Sequence, residues 1–166
     1  MFFNGKYLCP NCFRELSSPG GCPHCGYRGG EVYPLALPEG TVLNGHYLLG
    51  RVLGQGGFGI TYIGYDRYLD TPVAIKEYYP SGVVIRDCTH SLSVTAIEGE
   101  YSNFYAENRQ RFFREAKALA RFADVPNIVH IQNLFMENNT AYIVMEYLQG
   151  VALKDHIAKR GGRLTQ

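Results

Sequence analysis

The sequence contains no long hydrophobic run. Its longest apolar stretches are of strand length and are interrupted by Gly, Tyr or charged residues, whereas a membrane-spanning helix needs about 20 consecutive apolar residues. Residues 1–6 also lack the basic segment and apolar core of a signal peptide. We therefore expect a cytoplasmic chain that makes no membrane contact. A membrane segment beyond Gln166, in a longer protein, would lie outside this sequence.

The sequence also lacks an excess of charge of either sign, because 16 Lys and Arg residues face 15 Asp and Glu residues and the net charge is +1. A domain that binds nucleic acid usually carries a basic patch. In the first forty residues the basic side chains of Lys6, Arg14 and Arg28 are offset by three glutamates. We therefore expect no nucleic-acid partner, and strong, steeply salt-dependent binding to nucleic acid would contradict this expectation.

Cysteine is scarce, and four of the five cysteines form two C-x-x-C pairs, Cys9 with Cys12 and Cys22 with Cys25. Two such pairs let four thiolates converge on one tetrahedral metal ion. The ion would supply the folding energy that so short a segment cannot obtain from apolar burial. The spacing resembles that of small zinc ribbons. We therefore predict a structural Zn²⁺ site in a ribbon over residues 1–33, followed by a Pro-containing linker over residues 34–44.

Other interpretations of this segment remain open. Disulfides are the alternative in an oxidising compartment, and iron also accepts four thiolates. His24 lies inside the second pair and is a further candidate ligand. The ribbon could act as a protein-binding or nucleic-acid-binding module, or it could pack against the rest of the chain through its aromatic residues.

A Gly-rich segment is the most informative part of the remaining sequence. Leu53-Gly54-Gln55-Gly56-Gly57-Phe58-Gly59 has the G-x-G-x-x-G spacing, in which backbone N–H groups can close over phosphate oxygens. The β-branched and aromatic residues that follow predict a second strand, where a dinucleotide-binding turn would open into a helix. No Gly-Lys-Ser/Thr follows, which excludes a P-loop. A third predicted strand, Val73-Ala74-Ile75-Lys76, carries a lysine that could bind phosphate.

This order of strand, Gly-rich hairpin, strand and V-A-I-K strand resembles the small lobe of the protein kinases, and most of all that of bacterial Ser/Thr kinases. Phe113-Arg114-Glu115-Ala116 in a predicted helix and Tyr142-Ile143-Val144-Met145-Glu146-Tyr147 before a hinge extend the resemblance. It implies an α+β chain in which residues 45–166 form a kinase small lobe, the hinge and the first helix beyond it. The expected lobe has a five-stranded antiparallel sheet and one main helix.

The resemblance also implies a set of nucleotide contacts. Gly54, Gly56, Gly57 and Gly59 would lie against phosphate, with Phe58 at the tip of the loop. Leu53, Thr61 and Ala74 would cover the adenine, although Thr61 stands where the family usually has valine. Met145 would be the gatekeeper at the back of the adenine pocket. The backbone of Glu146 and Leu148 would supply adenine hydrogen bonds.

The helix predicted over residues 104–122 would provide a partner for Lys76. Phe112, Glu115, Ala116 and Leu119 recur at helical spacing, which places Glu115 on the face turned toward the sheet. The resemblance pairs Glu115 with Lys76, the lysine that grips the α- and β-phosphates. Glu77 points to the opposite face of a regular strand, and we expect it to be solvated or structural.

Residues 80–104 form a longer connection between Lys76 and Glu115 than most kinases have. The β-branched runs at residues 83–85 and 91–97 predict an added hairpin with a regulatory or docking role, or a plain surface elaboration. A helix is predicted over residues 151–160, ending at Gly161-Gly162.

The sequence contains no H-R-D-L-x-x-x-N, D-F-G or A-P-E motif. We therefore expect a truncated chain: the full-length protein would transfer the γ-phosphoryl of ATP, with Mg²⁺, to protein Ser or Thr, whereas these 166 residues alone would be inactive. A pseudokinase or scaffold is the alternative. The chain could self-associate through the exposed hinge side or the 80–104 insertion.

Overall fold

The structure, a computed structural model, describes residues 1–99, 101–151 and 153–159. Its main sheet has six strands: β4 (Val42–Leu43), β5 (Tyr47–Gly56), β6 (Gly59–Asp66), β7 (Thr71–Tyr78), β10 (Ile131–Glu137) and β11 (Thr140–Glu146). They lie in the order β10-β11-β7-β6-β5-β4, and every neighbouring pair is antiparallel. The five predicted strands are all present. The short strand β4, in the predicted linker, adds a sixth.

The main helix α1 (Tyr101–Leu119) packs on one face of this sheet and continues into a 3-10 turn, Ala120–Phe122. Tyr105 and Ala116 are its buried residues, and Phe112 packs beside them. Tyr78 of β7 contacts the helix through ring centroids 5.6 Å from Tyr105 and 5.2 Å from Phe112. The aromatic contacts therefore decide which side of the helix faces the sheet.

The opposite face of the sheet is covered by the segments that flank the strands in sequence. Leu37, from the predicted linker, is buried in the same core as Tyr62 and Ile75. The insertion contributes the hairpin of β8 (Val84–Ile85) and β9 (Thr95–Ala96), which pair antiparallel as predicted. Val84 and Val94 of the insertion are buried in this core as well. These segments therefore cover the face of the sheet opposite α1.

The N-terminal segment forms a separate small sheet of β1 (Phe2–Phe3), β2 (Lys6–Leu8) and β3 (Glu15–Leu16). Its core consists of Cys9, Leu16 and Cys22, with Cys12 and Tyr27 packed against them. From here on we use the word ribbon for residues 1–27 alone, the part of the predicted 1–33 segment that contains these strands and this core. So small a core buries little apolar area, which is typical of domains that depend on a metal ion.

Helix α2 (Leu153–Lys159) follows the last strand, within the predicted helix over residues 151–160. The predicted end of this helix at Gly161-Gly162 lies outside the described residues. No helix in the described part of the chain combines the length and the apolar character that a membrane span requires.

Candidate nucleotide site and four-cysteine centre

Four of the residues expected to bind nucleotide lie on one face of the sheet. The register pairs Lys76 of β7 with Thr61 of β6 on one side and with Ile143 of β11 on the other. The next row pairs Ala74 with Ile63 and Met145. Cross-strand partners point to the same face, so Thr61, Ala74, Lys76 and Met145 form one continuous patch.

The Gly-rich loop connects β5 and β6 at the end of this patch. An ideal Cβ added to Gly54, Gly56 or Gly57 would meet no atom within 4 Å, and none of the three has a positive φ. Neither internal packing nor backbone strain therefore requires glycine at these positions. Open space over a bare backbone is what a close approach by phosphate needs.

Gly59 and Phe58 differ from the other loop residues. A Cβ on Gly59 would lie 2.2 Å from the carbonyl oxygen of Glu77, so this glycine is required by the close contact between β6 and β7. Phe58 is 78% exposed at the tip of the loop. Two backbone hydrogen bonds hold the loop to the end of β7, from Tyr79 N–H to the Phe58 carbonyl and from Ser81 N–H to the Gly57 carbonyl.

The hinge follows β11 directly. The backbone N–H of Glu146 donates to the carbonyl of His130, and its side chain accepts a hydrogen bond from His130 N–H at 2.8 Å. Glu146 is thus fixed at both its backbone and its side chain. Leu148, two residues further along the chain, is 67% exposed.

The structure does not bring Glu115 to Lys76. Its carboxylate accepts a hydrogen bond from Arg111 Nε at 2.7 Å, in an ion pair whose side chains are 70% and 62% exposed. Within the described part of the chain, no salt bridge involves Lys76. The prediction that Glu115 faces the sheet is wrong for this conformation. At about 100° per residue, Glu115 lies roughly 80° from the line through Tyr105, Phe112 and Ala116.

Glu77 is fully buried and structural, an outcome that the sequence left open. Its carboxylate forms an ion pair with Arg86, and both side chains are 0% exposed. It also accepts hydrogen bonds from the hydroxyls of Tyr62, at 2.7 Å, and Tyr142, at 2.9 Å. Arg86 donates further to the carbonyls of Leu92 and Leu35. We call Glu77, Arg86, Tyr62 and Tyr142 the buried network.

The sequence analysis missed Arg86 and Gly50. A Cβ on Gly50, in β5, would lie 2.1 Å from the carbonyl oxygen of Pro10, so its glycine permits the ribbon to contact the sheet. A glycine inside a predicted strand often marks a close backbone approach, and this signal could have indicated the contact. The signal for Arg86 was weaker, because a single arginine after the short β-branched run at residues 83–85 does not indicate a buried ion pair.

The four cysteines of the ribbon form the predicted cluster, and their sulfur atoms all lie within 4.8 Å of one another. The Sγ atoms of Cys9 and Cys25 are 3.6 Å apart, as are those of Cys12 and Cys22. Zinc–sulfur bonds of about 2.3 Å in a tetrahedron place sulfurs about 3.8 Å apart. A disulfide needs about 2.05 Å, and all four cysteines are free. The donor set therefore fits a tetrahedral metal ion.

The thiols of this cluster differ in acidity. Burial, above all, raises the pKa of Cys12 to about 12. At Cys25 burial acts in the same direction, but hydrogen bonds from the Asn11 side chain and the Tyr27 backbone outweigh it and lower the pKa to about 6. Cys25 is the exposed member of the set. The hydrogen-bond donors around Cys25 therefore favour its thiolate form.

Comparisons with known proteins agree with this geometry. A family profile described as "Protein kinase domain" matches residues 47–166. The chain is similar to serine/threonine-protein kinase PrkC of Bacillus subtilis, with 36% identity over 122 residues, which are 74% of this chain and 16% of that protein. It is also similar to serine/threonine-protein kinase B of Synechocystis, with 27% identity over 84% of this chain and 22% of the relative.

A solved structure described as "PpkA-294 apo form" has 32% sequence identity and a TM-score of 0.70, over 76% of this chain and 43% of that one. The chain therefore spans about a fifth of the length of these curated relatives and less than half of that solved structure. The patch around Lys76, the Gly-rich loop and the hinge are the small-lobe part of a kinase fold. The chain belongs to the protein kinase family, among relatives that include bacterial Ser/Thr kinases.

Proposed function

We propose that this lobe binds ATP with Mg²⁺ and that the full-length protein transfers the γ-phosphoryl group to a Ser or Thr hydroxyl of a protein substrate. The observation that carries the proposal is the open backbone of Gly54, Gly56 and Gly57 beside the patch that contains Lys76. Phosphate oxygens would accept hydrogen bonds from the loop amides, and Lys76 would bind the α- and β-phosphates.

The adenine would lie on the remainder of the patch. Leu53, Thr61 and Ala74 would cover one face of the ring, and Met145 would limit the depth of the pocket. The carbonyl of Glu146 would accept from the adenine amino group, and the backbone N–H of Leu148 would donate to a ring nitrogen. The contacts between Glu146 and His130 support this assignment, because they fix the hinge backbone before a ligand arrives.

The catalytic half of the reaction requires residues that these 166 do not include. The sequence has no aspartate in an H-R-D motif to orient the substrate hydroxyl and no D-F-G aspartate to bind Mg²⁺. We propose that the 166-residue chain alone binds nucleotide weakly and transfers no phosphoryl group. In the full-length protein the hydroxyl oxygen would attack the γ-phosphorus, and ADP would leave.

The position of Glu115 adds a step to this proposal. Lys76 grips phosphate best when a carboxylate holds its side chain extended. In the structure Glu115 pairs with Arg111 instead. Formation of the Lys76–Glu115 pair would therefore require α1 to rotate or shift. The exposed ion pair, worth about 0.5 kcal/mol, opposes this movement only weakly, so the main resistance would come from the packing of Tyr78 on Tyr105 and Phe112.

The test is a Lys76→Met substitution in the full-length protein, with Lys117→Met as the matched control on the exposed surface of α1. We expect Lys76→Met to abolish phosphotransfer to protein and Lys117→Met to retain it. Glu115→Gln should lower kcat without unfolding the lobe. Turnover by Lys76→Met, or by the isolated 166 residues, would contradict the assignment. Nucleotide binding without any turnover by the full-length wild type would indicate the scaffold alternative.

We further propose that the four-cysteine centre is a structural zinc site with one Zn²⁺ per chain. Cys9, Cys12, Cys22 and Cys25 would hold the ion, and four thiolates leave no open position for chemistry. The small apolar core around Cys9 and Leu16 supports this role, because such a core needs a further source of stability. Metal analysis of purified protein tests it, and iron or no metal would contradict it.

A further inference from the structure

The ribbon contacts the lobe at the strand that leads into the Gly-rich loop. The backbone N–H of Arg51, in β5, donates to the carbonyl oxygen of Pro10 at 2.8 Å. Beside this bond, the side chain of Arg51 donates from Nε to Asn11 Oδ1 at 2.7 Å. The guanidinium also lies 5.7 Å from the ring centroid of Tyr27. Arg51 is two residues before Leu53, where the loop begins.

Asn11 connects this contact to the cysteine sulfurs. Its backbone N–H donates to Cys9 Sγ at 3.4 Å, and its side-chain amide donates to Cys25 Sγ at 3.5 Å. The two N–H donors of Asn11 therefore bind two sulfur atoms of the centre, and its side-chain oxygen accepts the hydrogen bond from Arg51. Groups that hydrogen-bond to metal ligands in this way orient those ligands. Asn11 therefore links the sulfur atoms to β5 through a continuous chain of hydrogen bonds.

The fit at β5 is close enough to transmit a displacement. Gly50 has no Cβ, and an added one would lie 2.1 Å from Pro10 O and 2.9 Å from the ring of Phe13. Phe13 also packs on Tyr65 of β6, with ring centroids 5.2 Å apart. A second contact region lies at the hinge, where a cavity of about 460 Å³ is lined by His24 and Cys25 of the ribbon together with Tyr147 and Gln149. The ribbon thus borders both segments that the nucleotide would use.

We propose that Asn11 and Arg51 are positioning residues that couple the four-cysteine centre to the Gly-rich loop, so that metal binding in the ribbon orders the loop for phosphate. Without the ion the ribbon loses the fixed sulfurs that hold Asn11, and the side chain of Arg51 loses its contacts with Asn11 and Tyr27. Strand β5, which leads into the Gly-rich loop, is then less restrained, and so is the loop. By thermodynamic linkage, nucleotide bound at the loop strengthens metal binding in the ribbon by the same factor.

This inference rests on the proposed nucleotide and zinc sites, and its test separates failure of the coupling from failure of either site. Hydrogen exchange is measured at the amide of Arg51 and at the loop amides of residues 53–58, in zinc-loaded and zinc-depleted full-length protein. Zinc content and nucleotide affinity are measured on the same samples. We expect zinc depletion to speed exchange at both places and to weaken nucleotide binding about fivefold or more.

Arg51→Met removes the side-chain part of the contact, and Arg67→Met is its control. Arg67 also contacts the ribbon, with its guanidinium 5.2 Å from the ring centroid of Phe3, but it makes no hydrogen bond to Asn11. We expect both variants to keep their zinc. In Arg51→Met alone, loop exchange should be fast and should no longer respond to zinc.

Three results would overturn the coupling. The first is a wild-type loop whose exchange is the same with and without zinc, and the second is an Arg51→Met loop that keeps the full response. The third is a protein that binds no zinc. A protein that binds zinc but no nucleotide would overturn the proposed function, while the loop exchange would still decide the coupling. Gly50→Ala, which forces Pro10 away, provides a second variant that should lose the response.

Discussion

Glu77 and Arg86 form an ion pair that is completely buried between the sheet and the insertion. The Glu77 carboxylate also accepts hydrogen bonds from the hydroxyls of Tyr62 and Tyr142. The Arg86 guanidinium donates hydrogen bonds to two backbone carbonyls. A buried pair is seldom more stabilising than apolar residues of the same shape, but it is costly to break by removing one partner. The pair therefore fixes where the insertion lies on the sheet.

Arg86→Met should strongly destabilise the lobe. The substitution leaves the Glu77 carboxylate buried without its cation, and we expect a loss of about 3–5 kcal/mol in the free energy of unfolding. Urea unfolding followed by far-UV circular dichroism measures this loss, since the chain has no Trp to report by fluorescence. Arg111→Met, which breaks the exposed pair with Glu115, is the control and should cost about 0.5 kcal/mol or less. Equal losses in the two variants would show that burial of the pair does not matter.

Stability should fall steeply at alkaline pH because of the two tyrosines of the buried network. Burial, followed by the charge of Glu77, raises the pKa of both Tyr62 and Tyr142 well above the ordinary 10.0. Above pH 10 the unfolded chain loses these protons and the folded chain keeps them, so folding takes up protons. The associated stability is complete below pH 10 and is lost as pH rises further.

Tyr142→Phe removes one of the two titrating hydroxyls and so tests its share of this pH dependence. We expect this variant to lose about 1 kcal/mol near neutral pH, because a hydrogen bond to a buried carboxylate disappears. Above pH 10 its stability should fall less steeply than that of the wild type, by about 1.4 kcal/mol per pH unit. Tyr68→Phe, at a site 78% exposed, should keep the wild-type slope. If the free energy of unfolding of Tyr142→Phe fell with pH as steeply as that of the wild type, this explanation would be ruled out.

The sequence predicted the strands, the Gly-rich loop and the four-cysteine cluster because their signals are local. Alternation, glycine spacing and C-x-x-C spacing all lie within a few residues. The surroundings of Glu77 and Glu115 could not be predicted in this way, because they depend on how distant parts of the chain pack together. Arg86 reaches Glu77 from an insertion whose path over the sheet depends on many weak contacts. The orientation of α1 follows from Tyr78 packing on Tyr105 and Phe112, and this contact turns Glu115 aside.

At Gly50 the sequence carries a local signal but does not identify the partner. A glycine in a strand indicates that something approaches the backbone closely, but the sequence does not say what approaches. The structure identifies it as the Pro10 carbonyl of the ribbon. The glycines of the loop at Gly54, Gly56 and Gly57 face no protein atom at all. Under the proposed function their role depends on a bound ligand, and no contact within the chain marks such a role.

Gly59→Ala and Gly57→Ala should separate structural from ligand-binding glycines. A Cβ at position 59 collides with the Glu77 carbonyl, so we expect a loss of about 1–3 kcal/mol in the free energy of unfolding. A Cβ at position 57 enters open space and should change stability by about 0.5 kcal/mol or less. Urea unfolding and titration of the full-length protein with ATP and Mg²⁺ measure the two effects. Gly57→Ala should weaken nucleotide binding without loss of stability, and unchanged affinity would argue against phosphate at this loop.

Cys22→Ser should remove the metal and unfold the ribbon, whereas Cys88→Ser should do neither. Cys22 belongs to the four-cysteine cluster and is buried in the ribbon core. Cys88 lies in the insertion, outside the cluster, where its thiol donates weakly to the Ala36 carbonyl. Serine is a much poorer zinc ligand than thiolate, so three thiolates must hold the ion in Cys22→Ser. We expect about one zinc per chain in the wild type and in Cys88→Ser, and far less in Cys22→Ser.

Because the ribbon core is small, loss of the ion should also expose the ribbon to proteolysis while the lobe remains folded. Limited proteolysis followed by mass spectrometry should give early cleavage within residues 1–27 of Cys22→Ser and a resistant fragment that contains β5 to β11. A ribbon of Cys22→Ser as resistant as that of Cys88→Ser would show that the thiol cluster folds without a metal ion. Resistance of the lobe in both variants is expected, because its core of Tyr62, Ile75 and Val144 includes no residue of the ribbon.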